Sequence, residues 1–435
     1  MSIYAPLPMG LPESREQVEA IQRDRKIVAV ERARRSPFWR PKLDHINTAK
    51  LDDLEEWAKI PILTKDELRA MSAEEFYSRF CVFKQEDVCE YWRSGGSTGK
   101  PLFYPRTHED MTYNMMGFAR TFDCAGVGAG EAAHVSLPLG IHPAGHAWAR
   151  AAQIRKMGLV WGGAGASLPS AQQLELIRML KPSLWMGMSS YGLHLANMAD
   201  SQGYNLADST VKTVMCTAEA VSDAKRVKME REWGAELFDN FGMTEISMMG
   251  AESPSHEGFH IWDDLALIEV LDPDSWKPVP DGEPGRLITT ALYGNEATPF
   301  LRWDSGDIVT MRKQSENHGP FSVFPVIRHA HRTAGYFKIR GVNVNHQEFE
   351  DFMFEIPEIN DFKVEMTTAA SGLDEFRVSI ELRSGADASA AMDHLLSRTK
   401  QVFEISPTID VLDTGSIAAA FESSVKAPRF VDNRE

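Results

Sequence analysis

The chain has 435 residues, 43% of them apolar and 25% charged, with a formal net charge of -16. That length exceeds one ordinary core and calls for two or more domains, the balanced composition excludes a disordered chain, and the acidic surplus argues against general nucleic-acid binding, which needs excess Lys and Arg. Four widely spaced cysteines (Cys81, Cys89, Cys124, Cys216) form no CxxC pair, which gives no disulfide framework or zinc pattern and fits a reducing compartment. MSIYAPLPMGLPES at the start lacks the basic flank and apolar core of a signal peptide, and no run approaches eighteen apolar residues. A cytoplasmic location is the expectation.

Basic residues crowd the stretch from Arg23 to Lys42, yet Ile27, Val28, Val30, Asp24 and Glu31 are interspersed with them, so a helix with a solvated charged face is expected. Thr64 with Glu67, and Thr107 with Asp110, each read as a helix cap with a carboxylate three residues on. Between these caps lies YWRSGGSTGKPLFYPR, Tyr91 to Arg106, where Gly95, Gly96, Ser97, Thr98, Gly99 and Lys100 make an arm rich in donors for oxyanions. The Walker pattern fails at both ends, because Ser94 replaces its first glycine and Pro101 its final hydroxyl residue. Pro101 also lacks the N–H that a following helix would offer an anion, and Leu102 to Tyr104 reads as a strand. A loop between two strands, closing over phosphates, is the reading; found alone, the same string is a common surface turn.

Further on, short apolar runs alternate with helical patterns. Strands are expected at His134 to Pro138, Leu159 to Trp161, Leu184 to Met186, Lys212 to Cys216 and Glu236 to Asp239. Helices are expected through Arg155, from Ser170 to Leu180, to Ala199, and from the Ser222 cap to Trp233. Such alternation signals parallel strands with crossover helices. From Phe259 the texture becomes β-rich, with strands at Ile261 to Leu271, Gly285 to Ala291 and Phe300 to Met311. Past Thr333 a compact unit follows: a strand at Tyr336 to Ile339, a helix from His346 to Phe354, a hairpin of Phe362 to Thr367 with Phe376 to Leu382, a helix from Ala388 to Phe403 and a strand from Thr408 to Leu412. The expected fold class is α/β, with a large N-terminal α/β domain of mixed sheets and a β-rich subdomain (1–332) and a small mobile C-terminal α+β domain (333–435).

Four strings follow the glycine-rich loop in order: FDNFGMTE at Phe238 to Glu245, FLRWDSGD at Phe300 to Asp307, FKIRGVNVNHQEFED at Phe337 to Asp351 and VKAPRFVD at Val425 to Asp432. With them the chain resembles the adenylate-forming acyl-CoA ligases, and among these the phenylacetate-CoA ligase branch, from about Arg15 to Arg434. In FDNFGMTE, an aromatic face at Phe241 suits a purine, Gly242 lets the backbone pass closely, Thr244 can donate to phosphate and Glu245 is a hard oxygen ligand for Mg²⁺. The resemblance puts nucleotide contacts at Ser94 to Lys100, at Asp239, Asn240 and Met243 of the same string, and at Ala218 and Glu219 of CTAEAVS. It implies Asp307 as acceptor for the ribose hydroxyls, a task for which a carboxylate has the acceptors. Arg302 either holds that turn or faces the substrate. The resemblance also implies Arg332 before the interdomain hinge, Arg340 and Gly341 toward the coenzyme A channel, and Lys426 as the cation of the first half-reaction. An ammonium there would stabilise charge as a carboxylate attacks an α-phosphate. Val425 stands where the family has glycine, and Ala334-Gly335 where relatives carry acidic residues.

By motif order, Val135 to Trp148 lines the acyl pocket, with Ser136, Pro138, His142 and His146 as its polar or shaping residues. Ser253 stands where some relatives have a zinc-binding cysteine, so no zinc is expected. The implied activity is ATP-dependent activation of a small acid, aryl, arylacetic or short hydroxy, followed by transfer to coenzyme A. ATP, Mg²⁺ and coenzyme A are the cofactors implied; no nucleic acid or membrane partner is expected, and a homodimer is compatible. Two alternatives stay open: transfer to a carrier protein or an amine, and a nucleotide-binding relative without turnover.

Overall fold

The computed structural model describes residues 7–93, 102–315, 319–332, 336–339, 342–368, 374–417, 419 and 429–434. Two compact units emerge, one of residues 1–131, 139–159 and 238–333, the other of 132–138, 160–237 and 334–435.

The first unit rests on an antiparallel ladder that runs, neighbour by neighbour, through Ala266–Leu271, Pro284–Ala291, Trp303–Arg312, Val326–Arg332, Phe259–Ile261, Ser247–Glu252 and Glu236–Met243. The helix His108–Ala125 lies close against Ser247–Glu252, because a side chain at Gly117 would meet the Met248 carbonyl at 2.4 Å. Thr107 and Asp110 form the expected reciprocal cap at its start, satisfying two N–H groups the helix cannot use, and Gly126 ends it at φ +73°. Val18, Met116, Ala251, Trp262, Leu265, Phe321 and Phe324 pack together as a core.

The N-terminal helix Arg15–Ala33 departs from the solvated face expected of its basic residues. Arg32 is buried and donates to Glu296 at 2.8 Å and to the Ala291 carbonyl at 3.0 Å, while Arg25 donates to the Leu292 carbonyl and lies 3.9 Å from the Tyr293 ring. The charge pattern could not reveal this, since the acceptors lie some 260 residues away along the chain. A guanidinium can be buried when acceptors and a counter-charge meet it, and the turn at 291–296 offers both to the two terminal nitrogens of Arg32.

In the second unit the strands Ala132–Val135, Leu184–Gly187 and Thr213–Thr217 pair in parallel, as the alternating pattern requires. Ser170–Leu180, Ser189–Ser201 and Asp223–Trp233 are the accompanying helices. The C-terminal residues form a separate sheet in the order Thr408–Leu412, Asp374–Leu382, Ile359–Thr368, Phe430–Asp432, antiparallel at its centre and parallel at both outer pairs. Phe337, Phe349, Phe362, Phe376 and Phe430 pack beneath it, each ring within 6.2 Å of the Phe349 centroid.

Among the described residues, four strands escape the periodicity: Ser247–Glu252, Val326–Arg332, Val342–Asn345 and Phe430–Asp432. SMMGAE is buried along almost its whole length, so it shows no alternation, and VIRHAHR is too polar to stand out. The single strand expected over Ile261 to Leu271 is instead two, Phe259–Ile261 and Ala266–Leu271, because Asp264 is drawn into a bidentate pair with buried Arg120 at 2.7 and 2.8 Å. Among the described residues no helix is long and apolar enough to cross a membrane.

Arg302, at φ +41° and buried, donates to both Glu269 oxygens at 3.1 and 3.0 Å and to the carbonyls of Ala58 and Ile60 at 3.1 and 2.8 Å. Its own carbonyl accepts from Leu63 N–H at 3.0 Å. Its side chain is thus spent on Glu269 and the 58–60 carbonyls, a structural role. Arg302→Met should lower the unfolding free energy by about 2 kcal/mol or more, since it removes the bonds to the 58–60 carbonyls and leaves the half-buried Glu269 carboxylate without its cation. Denaturant melts measure this, and a change below about 0.5 kcal/mol would refute the buried-staple account.

Candidate active site

In the first unit, FDNFGMTE is more extended than the sequence implies. Glu236–Met243 continues as a strand to Met243 and pairs with Ser247–Glu252, with a register shift between Phe241 and Gly242. Thr244 and Glu245 therefore sit on the tip of a tight hairpin, closed by Ile246 N–H on the Met243 carbonyl at 3.1 Å. Gly242 is required there: a Cβ would come within 2.6 Å of the Ser247 carbonyl oxygen. Ser247 completes the turn at φ +136°, a strained conformation for a residue with a side chain.

The tip is held from behind. Tyr104 Oη donates to Glu245 Oε1 at 3.3 Å, Asn295 Nδ2 donates to the Glu245 carbonyl at 2.8 Å, and Arg106 Nη2 donates to the Thr244 and Glu245 carbonyls at 2.6 and 3.0 Å. None of these three was singled out from sequence. Tyr104 and Arg106 share one face of a strand, two residues apart, and that spacing was the only signal available. Their strand, Phe103–Thr107, pairs with Val88–Arg93, so antiparallel strands flank the glycine-rich segment as expected. Ser94, Gly95, Gly96, Ser97, Thr98, Gly99 and Lys100 lie outside the described residues.

Phe241 and Met243 are half-buried and Gly242 is exposed, with the Phe241 ring 5.5 Å from Phe259. Asp239 and Asn240 are buried and bonded locally: Asp239 N–H donates to Glu252 at 2.8 Å, and Asn240 Nδ2 to the Phe238 carbonyl at 3.1 Å. Asp307 lies directly across the ladder from Arg332, so two of the implied residues are cross-strand neighbours. Its N–H donates to Ser305 Oγ at 3.0 Å, while Lys65 Nζ holds the Ser305 carbonyl at 2.5 Å. His142 sets its Nδ1 3.2 Å from the carbonyl of Arg93, the last described residue before the glycine-rich segment. His146 lies 4.0 Å from Glu90, which also takes Arg150 at 2.8 Å. Burial moves the His146 pKa downward, against the pull of Glu90.

The second unit holds the remaining residues. Ala218 follows its strand at φ +74°, and Glu219 accepts from Ser189 Oγ at 2.8 Å and from Ser190 N–H and Oγ at 2.5 and 3.0 Å. Burial raises the Glu219 pKa, but Lys225 and the Ser189 and Ser190 bonds outweigh it and leave the group below the usual carboxylate range. Lys225 also pairs with Glu350 at 3.0 Å, and Glu350 with Arg429 at 3.2 Å. Arg429, three positions beyond Lys426, bonds Asp361 and the Phe362 carbonyl and is buried. Lys426, Arg340 and Gly341 lie outside the described residues.

Pro138 is half-buried, whereas Ser136 is fully buried, its hydroxyl donating to Gln173 Oε1 at 2.7 Å. His134 Nε2 reaches the same oxygen at 3.1 Å, and Gln173 Nε2 donates to Gly163 O, Leu168 O and Tyr191 Oη. Ser136 therefore belongs to an internal polar network that fixes the strand end.

A model of the AMP-binding enzyme family matches residues 12–291. The chain is 28% identical over 388 residues to the phenylacetate-coenzyme A ligase of Thermus thermophilus, covering 87% of this chain and 84% of that one. To the phenylacetate-coenzyme A ligase of Pseudomonas putida it is 28% identical over 337 residues, covering 76% and 73%. Its fold matches the crystal structure of a 2-hydroxyisobutyryl-CoA ligase in the postadenylation state with a TM-score of 0.84, at 22% identity and covering 100% of this chain and 94% of that one.

Burial pushes the His134 pKa down to about 4 from 6.5, against the raising effect of the Gln173 bond. The unfolded chain therefore takes up this proton first, so the stability His134 confers is present in full above about pH 6.5 and lost as pH falls toward about 4. The loss from this residue should reach roughly 3 kcal/mol, and His134→Gln should remove that part of the pH slope. Denaturant melts of both proteins between pH 7 and 4 test it; parallel curves would contradict the assignment.

Proposed function

Because the chain belongs to the AMP-binding enzyme family, we propose that it is an ATP-dependent acid-coenzyme A ligase that first makes an acyl-adenylate and then passes the acyl group to coenzyme A. A carboxylate is a poor electrophile, and AMP is a good leaving group, which is why the reaction divides. The observation that carries this reading is the bond from Tyr104, on the strand leaving the glycine-rich segment, to Glu245 on the hairpin tip. It ties together two of the strings that the reaction requires.

Thr244 donates its hydroxyl to the α-phosphate, and Glu245 offers a half-buried hard oxygen that suits Mg²⁺. Bound there, Mg²⁺ would neutralise phosphate charge. Asp307 accepts the ribose hydroxyls, Phe241 faces the adenine, and Ser94 to Lys100 wrap the β- and γ-phosphates. Lys426 acts in the first half-reaction. The strand that follows it, Phe430–Asp432, is anchored by pairing with Ile359–Thr368 and by buried Arg429. Residues 333–435 move between the two half-reactions in this proposal, and the Lys225–Glu350, Lys228–Asn360 and Arg383–Glu232 contacts are among those that must break. A cytoplasmic location and a homodimeric assembly complete the reading.

The acid is small: aryl, arylacetic or short hydroxy. AMP release with phenylacetate, benzoate and 2-hydroxyisobutyrate identifies its class, and no release with any carboxylic acid in the presence of coenzyme A would defeat the proposal. Lys426→Ala should slow pyrophosphate release at least about 100-fold while sparing thioester formation from a supplied acyl-adenylate. Equal loss of both half-reactions would reject the role given to Lys426.

A further inference from the structure

Arg106 lies beneath the hairpin tip with no exposed surface. Its side chain donates from Nη1 to Thr298 Oγ1 at 2.7 Å and from Nη2 to the Thr244 and Glu245 carbonyls at 2.6 and 3.0 Å. The guanidinium lies 4.8 Å from the centre of the Trp92 ring. Trp92 and Tyr104 are register partners on the two strands that flank the glycine-rich segment.

These contacts are unusual in what they serve. Burying a charge is costly unless its donors are satisfied, and an apolar residue would fill a core position with less penalty. Here Nη2 alone reaches the main-chain oxygens of two consecutive residues whose side chains carry the proposed phosphate and metal contacts, while Nη1 is fixed on Thr298. The rigid guanidinium plane, pinned at Nη1 by Thr298, aims the two hydrogens of Nη2 at adjacent carbonyls, which an ammonium on a flexible stem cannot do as well. Because the turn is strained at Ser247, its conformation depends on the support around it. Burial lowers the Arg106 pKa, and the nearby Asp110 and Glu245 carboxylates work against that shift, which keeps the charge in place.

We propose that Arg106 is a positioning residue for adenylate formation: it fixes the Thr244–Glu245 tip against the strands flanking the glycine-rich segment, so that both side chains meet the nucleotide in one geometry. This rests on the nucleotide reading of Thr244 and Glu245. Preorganised contacts of this kind act on the step in which phosphate charge develops. The thioester step, starting from a preformed adenylate, needs them less.

The two half-reactions are measured separately on the full chain. Arg106→Gln should cut kcat for pyrophosphate release by about 30-fold and raise the Mg²⁺ concentration for half-maximal rate several-fold, with KM for the acid changed less than about twofold. Thioester formation from supplied acyl-adenylate should fall less than about threefold, and Arg106→Lys should recover part of the first step because one ammonium can reach one of the carbonyls. Equal losses in both half-reactions, or an unchanged Mg²⁺ dependence, would overturn the proposal. Should Arg106→Gln fail to fold, Thr298→Val removes the Nη1 acceptor alone and should slow the first step about fivefold; an unaltered first step in that folded variant overturns it equally. Glu245→Gln separates the two ideas. If it leaves adenylate formation intact, the nucleotide reading of the tip has failed; if it impairs the step while Arg106→Gln does not, only the role of Arg106 has.

Discussion

Buried guanidinium groups hold the turns on which this structure depends. Arg106 grips the carbonyls behind Thr244 and Glu245, Arg302 ties the segment around Ala58–Leu63 to the strand that carries Asp307, and Arg429 locks the strand that follows Lys426. Turns expose carbonyl oxygens that no ladder satisfies, and a guanidinium offers five donors in a rigid plane. One side chain can therefore fix several main-chain atoms at once. Water would compete for the same acceptors, so the device works because these arginines are buried.

The arrangement has an energetic consequence. Each buried charge must recover a desolvation cost of several kcal/mol through its contacts, so the groups contribute little net stability when intact and cost much when one partner is removed. What they provide instead is a unique conformation for short segments that would otherwise sample several. That suits the hairpin tip, where Gly242 and Ser247 adopt close or strained backbone geometry. In the second unit the same principle appears with carboxylates: Glu219 is held by two serines at the start of a helix, and Glu350 joins Lys225 to Arg429.

Polar residues near a motif divide into those that present chemistry and those that support it, and the structure sorts several that look alike in sequence. Ser136 and Arg302 are supports, because their polar atoms are spent on Gln173 and on Glu269 with the 58–60 carbonyls. Asp239 and Asn240, though inside FDNFGMTE, are buried with local partners, whereas Thr244 and Glu245 remain half-exposed at the tip. The difference comes from strand alternation and from the register shift at Phe241–Gly242, which redirects the chain just before the tip.

The sequence by itself determined the element types where periodicity and caps agreed: the Thr107 and Thr64 capping boxes, the Ser170–Leu180 and Ala388–Phe403 helices, the parallel strands and the paired strands beside the glycine-rich segment. These signals are local, written within a few residues of the feature they mark. It also carried the order of the five strings, which pointed to the family. Tertiary structure alone decided that Glu236 continues as a strand to Met243 and pairs with SMMGAE, that the basic N-terminal helix is stapled to the turn at 291–296, and that Arg106 supports the hairpin tip. Each of these depends on partners about 140 to 260 residues away, or on a strand buried on both faces that shows no alternation, so no window along the chain contains the acceptor that gives the donor its purpose.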